Sequence, residues 1–181
     1  MDVCLVTSNM HKLKEAEYVL GVKLKYINYE LDELQSLSVE HVVKHKAISA
    51  YLRFKRPLLV EDTGLFIYSL GGFPGALIKC LVQSAGTEKI CRIVDSCDSR
   101  GAYAKTAVAF SNGKKTNVFV GRIEGSIALH PKGGNGFGWD SIFIPKGSMH
   151  TFAEMSLQEK SRISMRRKAF AKFSKFMKNN I

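Results

Sequence analysis

Three stretches of this chain carry residues suited to phosphate chemistry. "TSNMHK", Thr7 to Lys12, joins a strand-like run to a helix-like one. A helix start presents backbone N–H groups without partners, and these attract an anion. Thr7, Ser8, Asn9 and Lys12 add donors and a positive charge, the outline of a phosphate cradle. An ordinary strand-to-helix turn with Ser8 or Asn9 as N-cap reads the same way. "VEDTG", Val60 to Gly64, closes a buried strand with two acids, where α/β sheets place ligands. Surface acids beside a turn would look alike. Adjacent carboxylates on an extended chain point to opposite sides, so at most one of Glu61 and Asp62 faces a given cleft directly. One carboxylate is a poor magnesium site unless other acids or substrate phosphates complete it, and Glu33 in "DELQS" is a candidate second ligand. "FPGALIK" puts Lys79 one turn into a helix, where the dipole disfavours a cation unless an anion compensates.

A fourth stretch points to a flat ligand. "GGNGFGWDSIFIP", Gly133 to Pro145, crowds four glycines against the only tryptophan and an aspartate. The glycines allow a tight turn and close approach. Phe137 or Trp139 can offer a stacking face to a base, worth roughly 1–3 kcal/mol by analogy with single-strand binding. Asp140 can accept from ring N–H groups. The competing use of these aromatics is to plug the core. "EKSRISMRRK" adds Lys160 and Arg166; Arg166 could donate to a keto oxygen or a phosphate, or belong to a solvated helix face.

The elements that must position these residues are legible in part. "VCLVT" reads as a buried strand and "HKLKEAEYVLG" as a helix, with Leu13, Ala16, Val19 and Leu20 at helical spacing and Gly21 as the stop. "KLKYIN" is a second strand and "SVEHVVKHKAISAYLRF" a helix. "PLLVEDTGLFIYSL" reads as a strand, a turn over Asp62 to Gly64 and another extended run. Two helices follow, Ala76 to Gln83 and Thr87 to Ser96. A long hairpin turns at Asn112-Gly113, and "SIFIP" is a short strand. Ser156 and Glu159 form a capping box for the last helix, whose Phe170, Phe173, Phe176 and Met177 make an apolar core stripe. Strand–helix units mixed with a central hairpin predict an α/β fold with a mixed sheet.

Length and composition bound the rest. At 181 residues and 45% hydrophobic, the chain fits one domain over 1–181, as two lobes sharing one sheet, with a full core. The start "MDVCLVTSN" is too short and too acid-tipped for a signal peptide. No apolar run approaches the roughly 20 residues of a membrane span. A soluble, cytoplasmic protein is expected. Cys4, Cys80, Cys91 and Cys97 match no zinc or redox spacing and read as buried or half-buried free thiols. The net charge is +11, and from Lys160 onward eight Lys or Arg stand with no acid. Such a segment attracts anions, if it is more than a solvated face.

In order, "TSNMHK", "EDTGL", "FPGALIK", "GFGWD-IF-P", "TFAEMS--EK" and "IS-R" resemble the motifs of the inosine/xanthosine triphosphate pyrophosphatases, from Val3 to about Phe176. The resemblance implies hydrolysis of non-standard purine triphosphates to the monophosphate and pyrophosphate, with Mg2+ (Mn2+ as substitute). It also implies a homodimer and an elongated α/β fold, a mixed sheet flanked by helices with a nucleotide cleft between two lobes. By the same resemblance Thr7, Ser8, Asn9, Met10, His11 and Lys12 hold the phosphates. Glu33 and Asp62 bind metal, and Asp62 accepts the proton of the attacking water. Thr63 touches substrate, and Lys46 and Lys79 neutralise phosphate charge. Phe137, Gly138, Trp139 and Asp140 grip the base, with Lys160, Met165 and Arg166 completing its pocket. The chain departs from the family at Met165, where relatives carry a base-contacting histidine, and at Ser141, often proline. Rival readings are a pyrophosphatase of another modified nucleotide and a non-catalytic nucleotide or nucleic-acid binder. Paired acids beside the cradle argue against nucleic acid.

Overall fold

The computed structural model describes residues 3–179; the ends of the expected 1–181 domain lie outside them. A mixed sheet runs through the molecule. Its strands are β1 (Cys4–Val6), β2 (Lys25–Ile27), β3 (Leu58–Ile67), β4 (Pro74–Gly75), β5 (Gly101–Ser111), β6 (Thr116–Ile127) and β7 (Phe143–Pro145). They lie in the order β2-β1-β3-β5-β6-β7, with β4 pairing on β3. β1 is parallel to β2 and β3, and the remaining pairs are antiparallel. The helices are α1 (Met10–Leu20), α2 (Val39–Phe54), α3 (Ile78–Asp95), α4 (Leu157–Ile163) and α5 (Met165–Asn179), with short 3-10 turns between.

Side-chain alternation along β3 sorts the core. Leu58 and Val60, with Ala107 and Ala109 of β5, pack beneath α2. Leu59, with Val108 and Phe110, faces α1 and α5, where Phe170 and Phe173 are fully buried. Farther along the same strands, Leu65, Ile67, Ala102 and Ala104 join α3, Trp139, Phe143 and Phe152 in a third cluster. The middle of β3, Glu61 to Thr63, falls between these clusters.

β3 is one unbroken strand, paired residue for residue with β5 from Leu58 to Ile67. The expected turn over Asp62 to Gly64 is absent. Gly64 serves packing instead: a Cβ there would come within 2.9 Å of Val39 and of the Gly75 backbone. α3 spans both expected helices, broken at Gly86 (φ 77°, ψ 161°). The capping box of Ser156 and Glu159 is present, but it starts α4 rather than the last helix. Ser164 is extended (φ −63°, ψ 153°), and its Oγ accepts from the Arg167 N–H, 3.2 Å, at the start of α5. The hairpin turns at 112–115 as expected, with Gly113 at φ 85°. Cys4 and Cys91 are buried and Cys97 half-buried, whereas Cys80 is exposed. No described helix is long and apolar enough to cross a membrane.

Candidate active site

A cavity of about 360 Å³ opens beside the middle of β3. The end of β1 and the start of α1 bring Thr7, Ser8, Asn9 and Lys12 to it. α2 brings Lys46, the loop after β2 brings Glu30 and Glu33, and α3 brings Lys79. The loop before β7 contributes Phe137, Gly138, Trp139 and Asp140, and α5 contributes Met165 and Arg166.

β1 pairs with β3 only at Leu58 and Leu59 and β4 only at Leu65 and Phe66, so the edge of β3 between them has no partner strand on that side. Glu61 and Asp62 do point to opposite faces. Glu61 meets Arg166 of α5, while Asp62 lies 3.6 Å from Lys46 of α2. From the open edge, however, Lys12 reaches both, 3.3 Å to Glu61 Oε1 and 3.6 Å to Asp62 Oδ1. The cavity therefore holds both carboxylates, where alternation predicts one. Lys46 also donates to Glu33 Oε1 at 2.6 Å, which draws Glu33 toward Asp62. Burial disfavours the Glu33 charge, but Lys46 outweighs it and the carboxyl lies below its usual value.

At the helix start, Asn9 acts as N-cap. Its Oδ1 accepts from His11 N–H at 3.0 Å and Lys12 N–H at 3.2 Å, and Thr7 Oγ1 accepts from Asn9 N–H at 3.1 Å. Capping thus takes two of the N–H groups at the helix start, and Thr7, Ser8, Asn9 and Lys12 all line the cavity. Met10 and His11 do not line the cavity. Met10 is exposed, and the His11 ring stacks on Phe137, centroids 5.2 Å apart.

The other end is a buried ionic lattice. Arg166 donates through Nε (2.7 Å) and Nη2 (3.0 Å) to Glu61, through Nη1 to Glu15, and through Nη2 to Thr63 Oγ1 (3.3 Å). Four of its five N–H donors are used within the protein, and the side chain also lines the cavity. Lys160 donates to Glu15 Oε1 at 2.7 Å and to Asp140 Oδ2 at 2.6 Å. It supports the cavity wall from behind Asp140 and does not line the cavity. Burial opposes the Glu61 charge, but Arg166 and Lys12 overcome it and bring the carboxyl down to about 2. Glu15 is lowered likewise by Arg166 and Lys160 against its burial. For Asp140 burial wins, and its carboxyl is raised despite Lys160.

Asp140 Oδ2 also accepts the Phe137 N–H at 2.8 Å, closing the glycine-rich loop. Gly136, at φ 78°, leaves room for that carboxylate, since a Cβ there would lie 2.2 Å from Oδ2. Trp139 is spent mostly on the core, edge-on to Phe143 at 5.6 Å, so Phe137 is the ring left partly open to the cavity. Met165 is buried in the core cluster while touching the cavity wall.

Glu15 and Glu30 are the site acids that the motifs did not single out, whereas Glu61 was named beside Asp62. Glu15 had a signal: it stands three residues after Lys12, on the face shared with Ala16 and Val19. Asp62 Oδ2 is buried and is the one such side-chain atom that accepts no hydrogen bond among the described residues. No group of three or more His, Cys, Asp or Glu suited to a metal occurs among them. Glu33 and Asp62 are hard oxygen donors, suited to a magnesium ion that takes only one or two protein carboxylates and fills its shell with phosphate oxygens and water.

The Ham1 family model matches residues 3–176. The chain is 40% identical to the "dITP/XTP pyrophosphatase" of Saccharolobus solfataricus, over 99% of this chain and 95% of that one. It is 37% identical to the "Inosine triphosphate pyrophosphatase" of Kluyveromyces lactis, over 98% and 96%. Among solved structures, the HAM1 protein from Coxiella burnetii superposes with a TM-score of 0.83 at 26% identity, over 98% of this chain and 99% of that chain. The Staphylococcus aureus Ham1 protein shares the fold with a TM-score of 0.83 at 24% identity, over 98% and 100%. Matched along nearly its whole length in sequence and in fold, the chain belongs to the Ham1 family.

Proposed function

We propose that this chain hydrolyses inosine, deoxyinosine and xanthosine triphosphates to the monophosphate and pyrophosphate, with Mg2+ as cofactor and Mn2+ as a substitute. The observation that carries this reading is one cavity with lysines and acids at one end and an aromatic, glycine-rich loop at the other. The names of the relatives at 37–40% identity support it. Lys12, Lys46 and Lys79 face the triphosphate, and Phe137 covers the purine.

Asp62 is the proposed general base. Lys12 and Lys46 both lie at its Oδ1, which leaves the unpartnered Oδ2 to take the proton of a water attacking the α-phosphorus. The three lysines then stabilise charge on the departing pyrophosphate. Lys12, Lys46, Lys79, Lys160 and Arg166 stand against Glu15, Glu30, Glu33, Glu61, Asp62 and Asp140, five cations to six carboxyls. A triphosphate adds further negative charge, so this balance favours a divalent cation arriving with it. Held by Glu33 and Asp62, that ion would supply Lewis-acid polarisation of a phosphoryl oxygen.

Arg166 contributes to selectivity indirectly, by fixing Glu61 and Thr63. Reading of the base edge falls to the Phe137–Asp140 loop. A guanine 2-amino group buried there without an acceptor costs about 1–3 kcal/mol. Pyrophosphate release from inosine and xanthosine triphosphates should exceed that from adenosine and guanosine triphosphates, and should stop when Mg2+ is chelated. Equal rates on all four, or release without a divalent ion, would defeat the proposal. Cytoplasmic residence and a homodimer belong to the same reading; a monomeric mass by light scattering would remove the dimer.

A further inference from the structure

The cavity's lysines are not held alike. Lys12 and Lys46 lean on Glu61, Asp62 and Glu33, acids with other work in the site. Lys79, the second residue of α3, bonds one carboxylate among the described residues, Glu30, at 2.9 Å from Nζ to Oε1, while Glu33 acts on it from farther off. Glu30 stands in the loop after β2, and Lys79 is the one side chain its carboxylate bonds among the described residues. Both residues line the cavity, yet their side chains are 71% and 52% exposed for Glu30 and Lys79. A pair this exposed is only weakly held, so a multiply charged anion can displace it. Dislodging a buried pair would leave a charge stranded out of water, at far greater cost.

We propose that Glu30 is a built-in stand-in for the substrate: its carboxylate occupies Lys79 until a polyphosphate takes its place, and so sets the affinity of the site for polyphosphate. This rests on the reading above that Lys79 faces the phosphates. The physical form is simple. A ligand that needs Lys79 binds only the fraction of molecules in which that lysine is free, and its apparent affinity falls by that fraction. Glu30 is a positioning residue here, since it touches the lysine and not the reacting atoms. The plain alternative is support of α3: Glu30 neutralises a cation at a helix start, where the dipole is unfavourable.

The two roles separate by experiment. Binding of inorganic tripolyphosphate with Mg2+ is measured by calorimetry for the unaltered chain, Glu30→Gln, Lys79→Ala and the double variant. The stand-in role expects Glu30→Gln to tighten binding by about two- to five-fold, the range an exposed pair allows. In the Lys79→Ala background the same change should do nothing. For inosine triphosphate, KM should fall by the same factor with kcat unchanged. Weaker or unchanged tripolyphosphate binding in Glu30→Gln overturns the proposal, as does a gain that persists without Lys79, or no tripolyphosphate binding by the unaltered chain. A lowered Tm with unchanged affinity assigns Glu30 to helix support. Because tripolyphosphate binding needs no hydrolysis, a chain that binds it as expected but leaves inosine triphosphate intact would refute the proposed reaction and leave the stand-in in place.

Discussion

The two ends of the cavity are built from the same residue types and behave as opposites. At the proposed polyphosphate end, Lys79 holds one exposed glutamate, Glu30, and Lys46 holds another, Glu33. At the proposed base end, Arg166, Lys160, Glu15, Glu61 and Asp140 are all buried and tied to one another. Solvent makes the difference. Near water an ion pair is cheap to exchange, while in the interior each charge depends on its partner. One end is arranged to let partners go, and the other to hold a shape.

Variants at each end should therefore fail in different ways. Asp62→Asn should show the largest effect, a fall in kcat of about 10²–10⁴-fold with the fold retained; near-full turnover in the purified variant removes Asp62 as the base. Glu15→Ala should do the reverse. It strands Arg166 and Lys160 without a shared counter-ion, and chemical denaturation should show a loss of about 3–5 kcal/mol. A loss below 1 kcal/mol would show that the base end is no more locked than the other.

Acid sharpens the contrast further. The Glu61 carboxyl lies at about 2 in the folded chain, below its ordinary 4.5. Its contribution is complete above the unfolded value and is lost as pH falls from about 4.5 toward 2. Glu15, also lowered, adds in the same sense, while the raised Asp140 carboxyl works against them. Melting temperature followed across that range should drop steeply in the unaltered chain and less steeply in Glu61→Gln. The smallest expected effect is at Lys79: Lys79→Ala should raise KM for inosine triphosphate several-fold, less so at high salt, where exposed charges are screened. A salt-independent rise would mean that Lys79 acts by packing.

Much of this was visible in the letters, and the misses share a cause. Most strands, helices and the hairpin follow hydrophobic period, and Lys12, Asp62 and Phe137 of three separate motifs line one cavity, with Lys46 from the helix between them. Gly64 misled because a glycine after Asp-Thr reads as a turn, whereas it is there to admit Val39 and the strand at Gly75. Arg166 and Lys160 look free in the sequence because a sequence shows a cation without its partners. The partners, Glu15 and Glu61, come from α1 and β3, more than a hundred residues away in the chain. Asn9 was legible as a cap, and as a cradle, by the same chemistry; only geometry shows that its oxygen already takes two N–H groups.

The break at Gly86 has a mechanical consequence. Before it, α3 presents Ile78, Lys79, Val82 and Gln83 to the cavity; after it, Ile90, Cys91 and Val94 are sealed in the core. Because regular helical geometry stops at that glycine, loosening of the first segment has no continuous hydrogen-bonded rod along which to spread into the second. Amide hydrogens of residues 78–85 should exchange with deuterium well before those of 90–94, so that the wall facing the ligand can breathe while its anchor stays shut.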